Sequence, residues 1–314
     1  MAHRPMNRRR FLAASLLGGA SCLLAKGAAP AAEPFALRYV LGSSLYGNLP
    51  LATILAEMDR ADTHAIDLWP RVHGTQREEA EALGHERLLA LLQAHHASVP
   101  ITTRYDLGPF KLAPEIPFLR DLGGEIIVTG AKGPAGLAGE SLRTAVRDFV
   151  EQLKPNLALA GEAGLTLAIE NHGASLIESP DSIRWLAEYA QGLPLGIALA
   201  PYHLEQDAGL VAGLIRDLGP KLSLFYAWQH GHGCMKPMPP DEEMLQLPGR
   251  GGLDFLPIVQ ALRAINFRGW TEIFMHHTPR GLPFLPTAGA MTAEIKRARQ
   301  HLDALVAKTG DGLG

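Results

Sequence analysis

Residues 165–172 read LTLAIENH. A short apolar run ends there in three polar side chains, Glu170, Asn171 and His172. Its length suits a strand and is too short for a helix. With a period of two, Thr166, Ala168 and Glu170 share one face, and Leu167 and Ile169 share the other. Gly164 stands just before the run, where a helix should stop. Beyond it, Ser179-Pro180-Asp181 offers an N-cap serine with proline at the first helical position. The stretch therefore reads as a strand between two helices, 140–163 and 180–190.

The same unit recurs along the chain. Further strands are expected at 38–43, 65–68, 98–102, 125–129, 195–200, 222–229 and 270–275. Helical patterns at 50–61, 85–95, 116–121, 206–218, 253–265 and 288–307 alternate with them. Eight strands, each followed by a helix, predict an α/β fold, a parallel eight-stranded (β/α)8 TIM barrel. An open doubly wound sheet is the competing arrangement. No G-x-G-x-x-G or Walker-type loop follows any strand, which weighs against it. The loop 230–252 is long for a compact domain, a property usually tied to function.

The first 32 residues read differently. Arg8, Arg9 and Arg10 precede Phe11-Leu12, an apolar run follows to Ala25, and small residues surround Pro30. This is the pattern of an export signal peptide, and the paired arginines match the twin-arginine type. The expectation is a barrel spanning 33–314, delivered to the periplasm or the outside. Removing the signal takes five basic residues and no acid, so the formal charge falls from −3 to −8. Such a chain repels phosphate backbones, which excludes nucleic acid as the expected partner. No other apolar run is long enough to span a membrane. Once Cys22 leaves with the signal, Cys234 is the single cysteine, so no intramolecular disulfide can form.

A barrel of this kind carries its chemistry at the C-terminal ends of its strands. Six of the 13 histidines fall at such ends or just beyond: His172, His203, His230, His232, His276 and His277. The strand ends also hold Glu170, Gln229, Trp69 and Tyr46, with Glu272 inside the last strand. Asp67, Tyr105 and Lys132 are weaker candidates. Trp228, of outward parity, is expected in the core. Arg250, between glycines in the long loop, is expected to reach a substrate oxygen.

LTLAIENH resembles the fifth strand of the xylose isomerase-like TIM-barrel family, which includes sugar isomerases and epimerases. The run 249–273, GRGGLDFLPIVQALRAINFRGWTEI, resembles that family's approach to its eighth strand, and AIDLWP at 65–70 fits its second. The resemblance implies a small-molecule carbohydrate, keto-sugar or cyclitol as substrate. It also implies one divalent cation held by Glu, Asp, His and Glu at the ends of strands five to eight. Only Glu170 matches that set. The other three positions fall on Ala200, Ala227 and Phe274, while Glu272 lies one layer deeper. Two residues further out, on the same expected faces, stand His172, Tyr202, Gln229 and His276. The polar site is thus expected one layer outward, with Glu170, Glu272 and His203 as catalytic groups. His172, Gln229, His230, His276, Arg250, Trp69 and Tyr46 would then contact substrate. Glu170, His203 and His276 are the candidate ligands for Zn²⁺, Mn²⁺, Mg²⁺ or Co²⁺; a metal-free acid–base site is equally open. The expected activity is isomerisation or epimerisation by proton abstraction beside a carbonyl. A lyase or hydratase acting on an oxidised sugar and an inactive carbohydrate-binding barrel are the alternatives.

Overall fold

The apolar runs form eight strands: β1 (Arg38–Gly42), β2 (Ala65–Leu68), β3 (Ser98–Thr103), β4 (Ile126–Gly130), β5 (Thr166–Glu170), β6 (Leu195–Leu199), β7 (Leu222–Ala227) and β8 (Trp270–Ile273). Each pairs in parallel with the next, and β8 returns to β1 through the register Val40↔Glu272. The fold is the expected (β/α)8 barrel. The computed structural model describes residues 34–230 and 238–310. The expected export signal, with Cys22, lies outside the described residues, as do His232 and Cys234.

Local chemistry sets the element ends. The helix Pro180–Tyr189 begins at Ser179, whose hydroxyl accepts from the Ser182 amide at 3.2 Å. Asp207 caps Ala208–Leu218 through the Gly209 and Leu210 amides, and Asp254 caps Phe255–Ala264 through Leu256. Such caps satisfy amides that the first helical turn leaves without partners. Apolar side chains on the outer strand faces, including Leu167, Ile169 and Ile197, are fully buried beneath the helices. Two elements depart from expectation. A helix at Gln76–Leu83 precedes the one at His85–Ala94, and the expected helix 50–61 is two short ones, Leu51–Leu55 and Met58–Ala61.

Strand β7 departs from simple alternation. Its register with β6 runs Ile197↔Leu222 and then Ala198↔Leu224, so β7 carries one extra residue. A bulge of this kind flips every later side chain to the other face. Ser223 points inward at the bottom, where a Cβ on Gly196 would strike its hydroxyl. Above the bulge the inward residues are Tyr226 and Trp228, in place of the expected Phe225, Ala227 and Gln229. Beyond Ala227 the chain also leaves the sheet, because the Gln229 amide donates to the Gln246 carbonyl at 3.1 Å.

Candidate active site

A cavity of about 760 Å³ opens at the C-terminal ends of the strands. Of the residues expected at the site, Glu170, His172, His203, His276 and Trp69 line it. Trp228, expected in the core, lines it as well.

Glu170 is the last residue of β5 and its side chain is 4% exposed. Burial disfavours its charged form and pushes its pKa up to about 8. The hydroxyls of Tyr105 and Tyr226 approach the carboxyl and oppose that shift without cancelling it. Tyr105 fits because its neighbour on the adjacent strand is Gly130, level with Glu170 in the sheet. A Cβ on Gly130 would sit 2.6 Å from the Tyr105 ring.

His203 sits in a short 3₁₀ turn, Pro201–His203, directly after β6. Asn171 fixes the start of that turn. Its side-chain oxygen accepts from the Ala200 amide at 2.7 Å, and its nitrogen donates to the Ala200 carbonyl at 3.0 Å. The turn swings the imidazole over Glu170, with His203 Nε2 at 3.8 Å from Glu170 Oε1. Burial drives the His203 pKa down to about 2, so the ring is neutral across the working pH range. His172 packs against it at a tilt of 36°, 4.0 Å ring centre to ring centre, and holds its orientation through Nδ1 and the Gly173 carbonyl at 2.8 Å. Across the cavity His276 packs against His73 at 5.0 Å. Burial pushes both of these imidazoles toward the neutral form.

The walls between these groups are aromatic. Trp228 stacks on Tyr202 at 3.9 Å and meets the edge of Phe274 at 4.8 Å, while Trp69 stacks on Phe274 at the same distance. Flat apolar faces beside a few polar groups are the usual make-up of a small-molecule pocket.

Glu272 and Asp67 lie beneath this layer. Glu272 is fully buried and does not line the cavity, contrary to its expected catalytic placement. Phe274, two residues on, lies between it and the opening. Trp69 Nε1 donates to Glu272 Oε1 at 3.3 Å, and Thr103 donates to Asp67 Oδ2 at 2.5 Å. The remaining oxygens, Asp67 Oδ1 and Glu272 Oε2, have no donor among these contacts. Burial raises both pKa values, that of Asp67 to about 7, and the two carboxyls lie close enough for each to act on the other's ionisation. A proton shared between them satisfies both. Gly42 makes room for the pair, since a Cβ there would strike Glu272.

Four expected contacts are engaged elsewhere. Gln229 donates to the Leu247 carbonyl and accepts from the Leu253 amide, both at 2.8 Å, so it clamps the long loop. Arg250 forms an ion pair with Glu294 at 2.6 Å on the outer surface. Tyr46 is buried against Thr292, hydroxyl to hydroxyl at 3.0 Å. His230 does not line the cavity, and its amide donates to Gln206 at 2.7 Å.

Residues 111–305 match the family described as xylose isomerase-like TIM barrel. The chain belongs to this family. Among solved structures, a xylose isomerase domain protein from Alicyclobacillus acidocaldarius is 16% identical. Its TM-score is 0.64, over 88% of this chain and 100% of that one. The D-psicose 3-epimerase of Clostridium cellulolyticum H10, solved with D-tagatose, is 12% identical with TM-score 0.64, over 86% of this chain and 99% of that one. The IOLI protein, solved with a bound zinc atom, is 14% identical with TM-score 0.64, over 87% of this chain and 99% of that one. No curated protein sequence matches the chain.

The xylose isomerase-like cation site does not carry over. Of the four implied ligand positions Glu170 alone keeps a donor. Ala200 is apolar, the β7 bulge brings Tyr226 and Trp228 inward, and Phe274 covers Glu272. The expected trio Glu170, His203 and His276 does not assemble either. Among the described residues no group of three His, Cys, Asp or Glu side chains is placed to hold a metal ion. Nor does any helix among them have the length and apolarity to cross a membrane.

Sequence reasoning missed Tyr226, His73 and Arg280. Tyr226 was hidden by the bulge, which is set by pairing with β6 and leaves no mark in the local pattern. His73 and Arg280 come from loops, where no period reports direction.

Proposed function

We propose that this xylose isomerase-like barrel is a carbohydrate isomerase that shifts a proton between neighbouring carbons beside a carbonyl. The observation that carries this reading is Glu170: a buried carboxyl with its pKa near 8, at the cavity, 3.8 Å from a neutral histidine. A general base works best when its pKa lies near the working pH. Ionised Glu170 removes a proton from the carbon next to the carbonyl. The C–H pair becomes the second bond of an enediolate, and the carbonyl π pair moves onto oxygen. Neutral His203 donates a hydrogen bond to that oxygen, a role open to an uncharged imidazole. Protonated Glu170 returns its proton to the carbon that bore the carbonyl, the hydroxyl proton of the neighbouring carbon passes to the first oxygen by way of His203, and the carbonyl re-forms at the neighbouring position. His172 and His276 orient hydroxyls, and Trp69 and Trp228 cover the ring or chain.

Of the two carboxyls that line the cavity, Asp106 is held by Arg104 at 2.8 Å, which leaves Glu170 as the base and favours a shift on one face over epimerisation. Inverting one carbon calls for proton donors on opposite faces, and Glu272 is shut beneath Phe274. Export through residues 1–32 belongs to the same proposal, and the N-terminus of the protein recovered from the periplasm tests it.

Incubation with aldoses and keto-sugars in deuterated water tests the reaction. The expected result is deuterium at the carbon beside the carbonyl together with the isomer, both lost in Glu170→Gln. Exchange into none of the sugars would overturn the reading in favour of a binding barrel.

A further inference from the structure

A chain of ion pairs runs from the interior to the cavity wall at the end of β3. Arg104 follows that strand directly, and its backbone is pinned to β4. Its amide donates to the Val128 carbonyl at 2.7 Å, and its carbonyl accepts from the Thr129 hydroxyl at 3.1 Å. The Gly108 amide donates back to the same carbonyl at 3.3 Å, which closes residues 104–108 into a turn. Asp106, in the middle of this turn, lines the cavity.

Arg104 grips Asp106 with two prongs. Nε donates to Oδ1 at 3.0 Å and Nη2 donates to Oδ2 at 2.8 Å, which fixes the plane of the carboxylate. The third nitrogen, Nη1, donates to Glu115, which is fully buried. Arg77 holds Glu115 from the other side, through Nε at 2.9 Å and Nη2 at 2.7 Å, and lies 3.6 Å over the Phe118 ring. Two arginines and two acids balance in charge. Buried ion pairs seldom add stability over apolar packing of the same volume, so stability does not account for this chain. Position does, because Asp106 is the one member of the four that lines the cavity.

An ionised carboxylate offers about four acceptor sites. Arg104 occupies one on each oxygen, and among the described residues no other donor reaches Asp106. Its side chain is still 33% exposed. Each oxygen therefore keeps an acceptor site for a ligand. Two parallel acceptors match two hydroxyls on neighbouring carbons, as they match the two prongs of a guanidinium. A carboxylate or phosphate on the ligand would instead meet an anion there.

We propose that Asp106 recognises the substrate by accepting hydrogen bonds from two neighbouring hydroxyls of an uncharged sugar or cyclitol, and that Arg104 is the residue that positions it. This rests on the sugar-converting reading above. It adds the substrate class, a neutral polyol with a vicinal diol apart from the carbons that meet Glu170.

The test is titration calorimetry of the purified chain with D-glucose, D-fructose, D-galactose and myo-inositol, followed by the monodeoxy derivatives of the tightest binder. Two derivatives that lack neighbouring hydroxyls are expected to bind about tenfold or more weakly than the parent, the range for a hydrogen bond to a charged group. Asp106→Ala should level those two with the parent. Asp106→Asn, which retains one acceptor, should keep part of the penalty, as should Arg104→Lys, which retains the charge beside Glu115 and loses the fork. Equal binding of every derivative overturns the inference, as does a penalty that survives Asp106→Ala or no binding by any of the four parents. A full penalty in Arg104→Lys overturns the positioning role of Arg104. Deuterium exchange into a sugar without an Asp106-dependent penalty removes this inference alone. Asp106-dependent binding without exchange into any sugar removes the isomerase reading alone.

Discussion

Replacing Glu170 by glutamine should make the barrel more stable at alkaline pH. The ordinary glutamate value of 4.5 applies to the unfolded chain, and burial raises the folded value to about 8. Between these limits the folded protein holds a proton that the unfolded chain has released. Stability contributed by the neutral carboxyl is complete below pH 4.5 and disappears as the pH rises through 8. Glutamine is nearly isosteric and never ionises. From pH 5 to pH 9 the variant should therefore gain about 4 kcal/mol over the wild type. In a barrel of this size that is a relative rise in Tm of about 8 °C. Removing a charge from Glu170 also relieves Glu272, whose pKa it raises, so the secondary effect has the same sign. Urea unfolding of both proteins at one-unit steps from pH 5 to 9 measures the difference. A gap that stays constant within about 1 kcal/mol, or that favours the wild type as pH rises, would refute the buried neutral carboxyl.

Three further outcomes follow from the contacts around the site. Gln229→Ala breaks two buried hydrogen bonds that clamp the long loop, so chemical denaturation should show a loss of about 2–3 kcal/mol. Because Gln229 does not line the cavity, the variant's KM at a temperature where it is folded should stay within about twofold, a change of under ~0.5 kcal/mol. Gly130→Ala drives a methyl into the Tyr105 ring and displaces the hydroxyl that favours ionised Glu170. The rising limb of its rate profile should move to higher pH, and a limb at the wild-type position would count against the Tyr105 contact. Dialysis against a chelator should leave the deuterium exchange rate unchanged, since the described donors do not form a cation site. A loss restored by Zn²⁺ or Mn²⁺ would show that ligands lie elsewhere in the chain.

The barrel was legible because its strands are short, apolar on both faces and regularly spaced between helices. Period-two reasoning also put Glu170, His172 and His276 at the cavity, since the chain keeps its direction for two or three residues beyond the ends of β5 and β8. It failed in β7, where one extra residue between Leu222 and Leu224 reversed the faces. That slip is decided by pairing with β6, so SLFYAWQ alone cannot reveal it. The same slip put Trp228 into the cavity and turned Gln229 to the loop. Arg250 and Tyr46 were polar groups at plausible positions, but Glu294 and Thr292, far along the chain, claimed them. Glu272 has the expected parity and lies one layer deeper as expected, but Phe274 closes over it and keeps it out of the cavity. His73 and Arg280 needed the folded loops before their place at the mouth was visible.

The central claim is that Glu170 acts as a base tuned by burial. The pH dependence of kcat/KM for deuterium exchange tests it most directly, because that profile reports the free enzyme's essential groups. The account predicts a rate that rises with pH through an apparent pKa near 8 in the wild type. It predicts no exchange above background in Glu170→Gln at any pH. A profile already flat above about pH 5, the limb of an ordinary carboxylate, would contradict it, as would a Glu170→Gln protein that retains the wild-type rate.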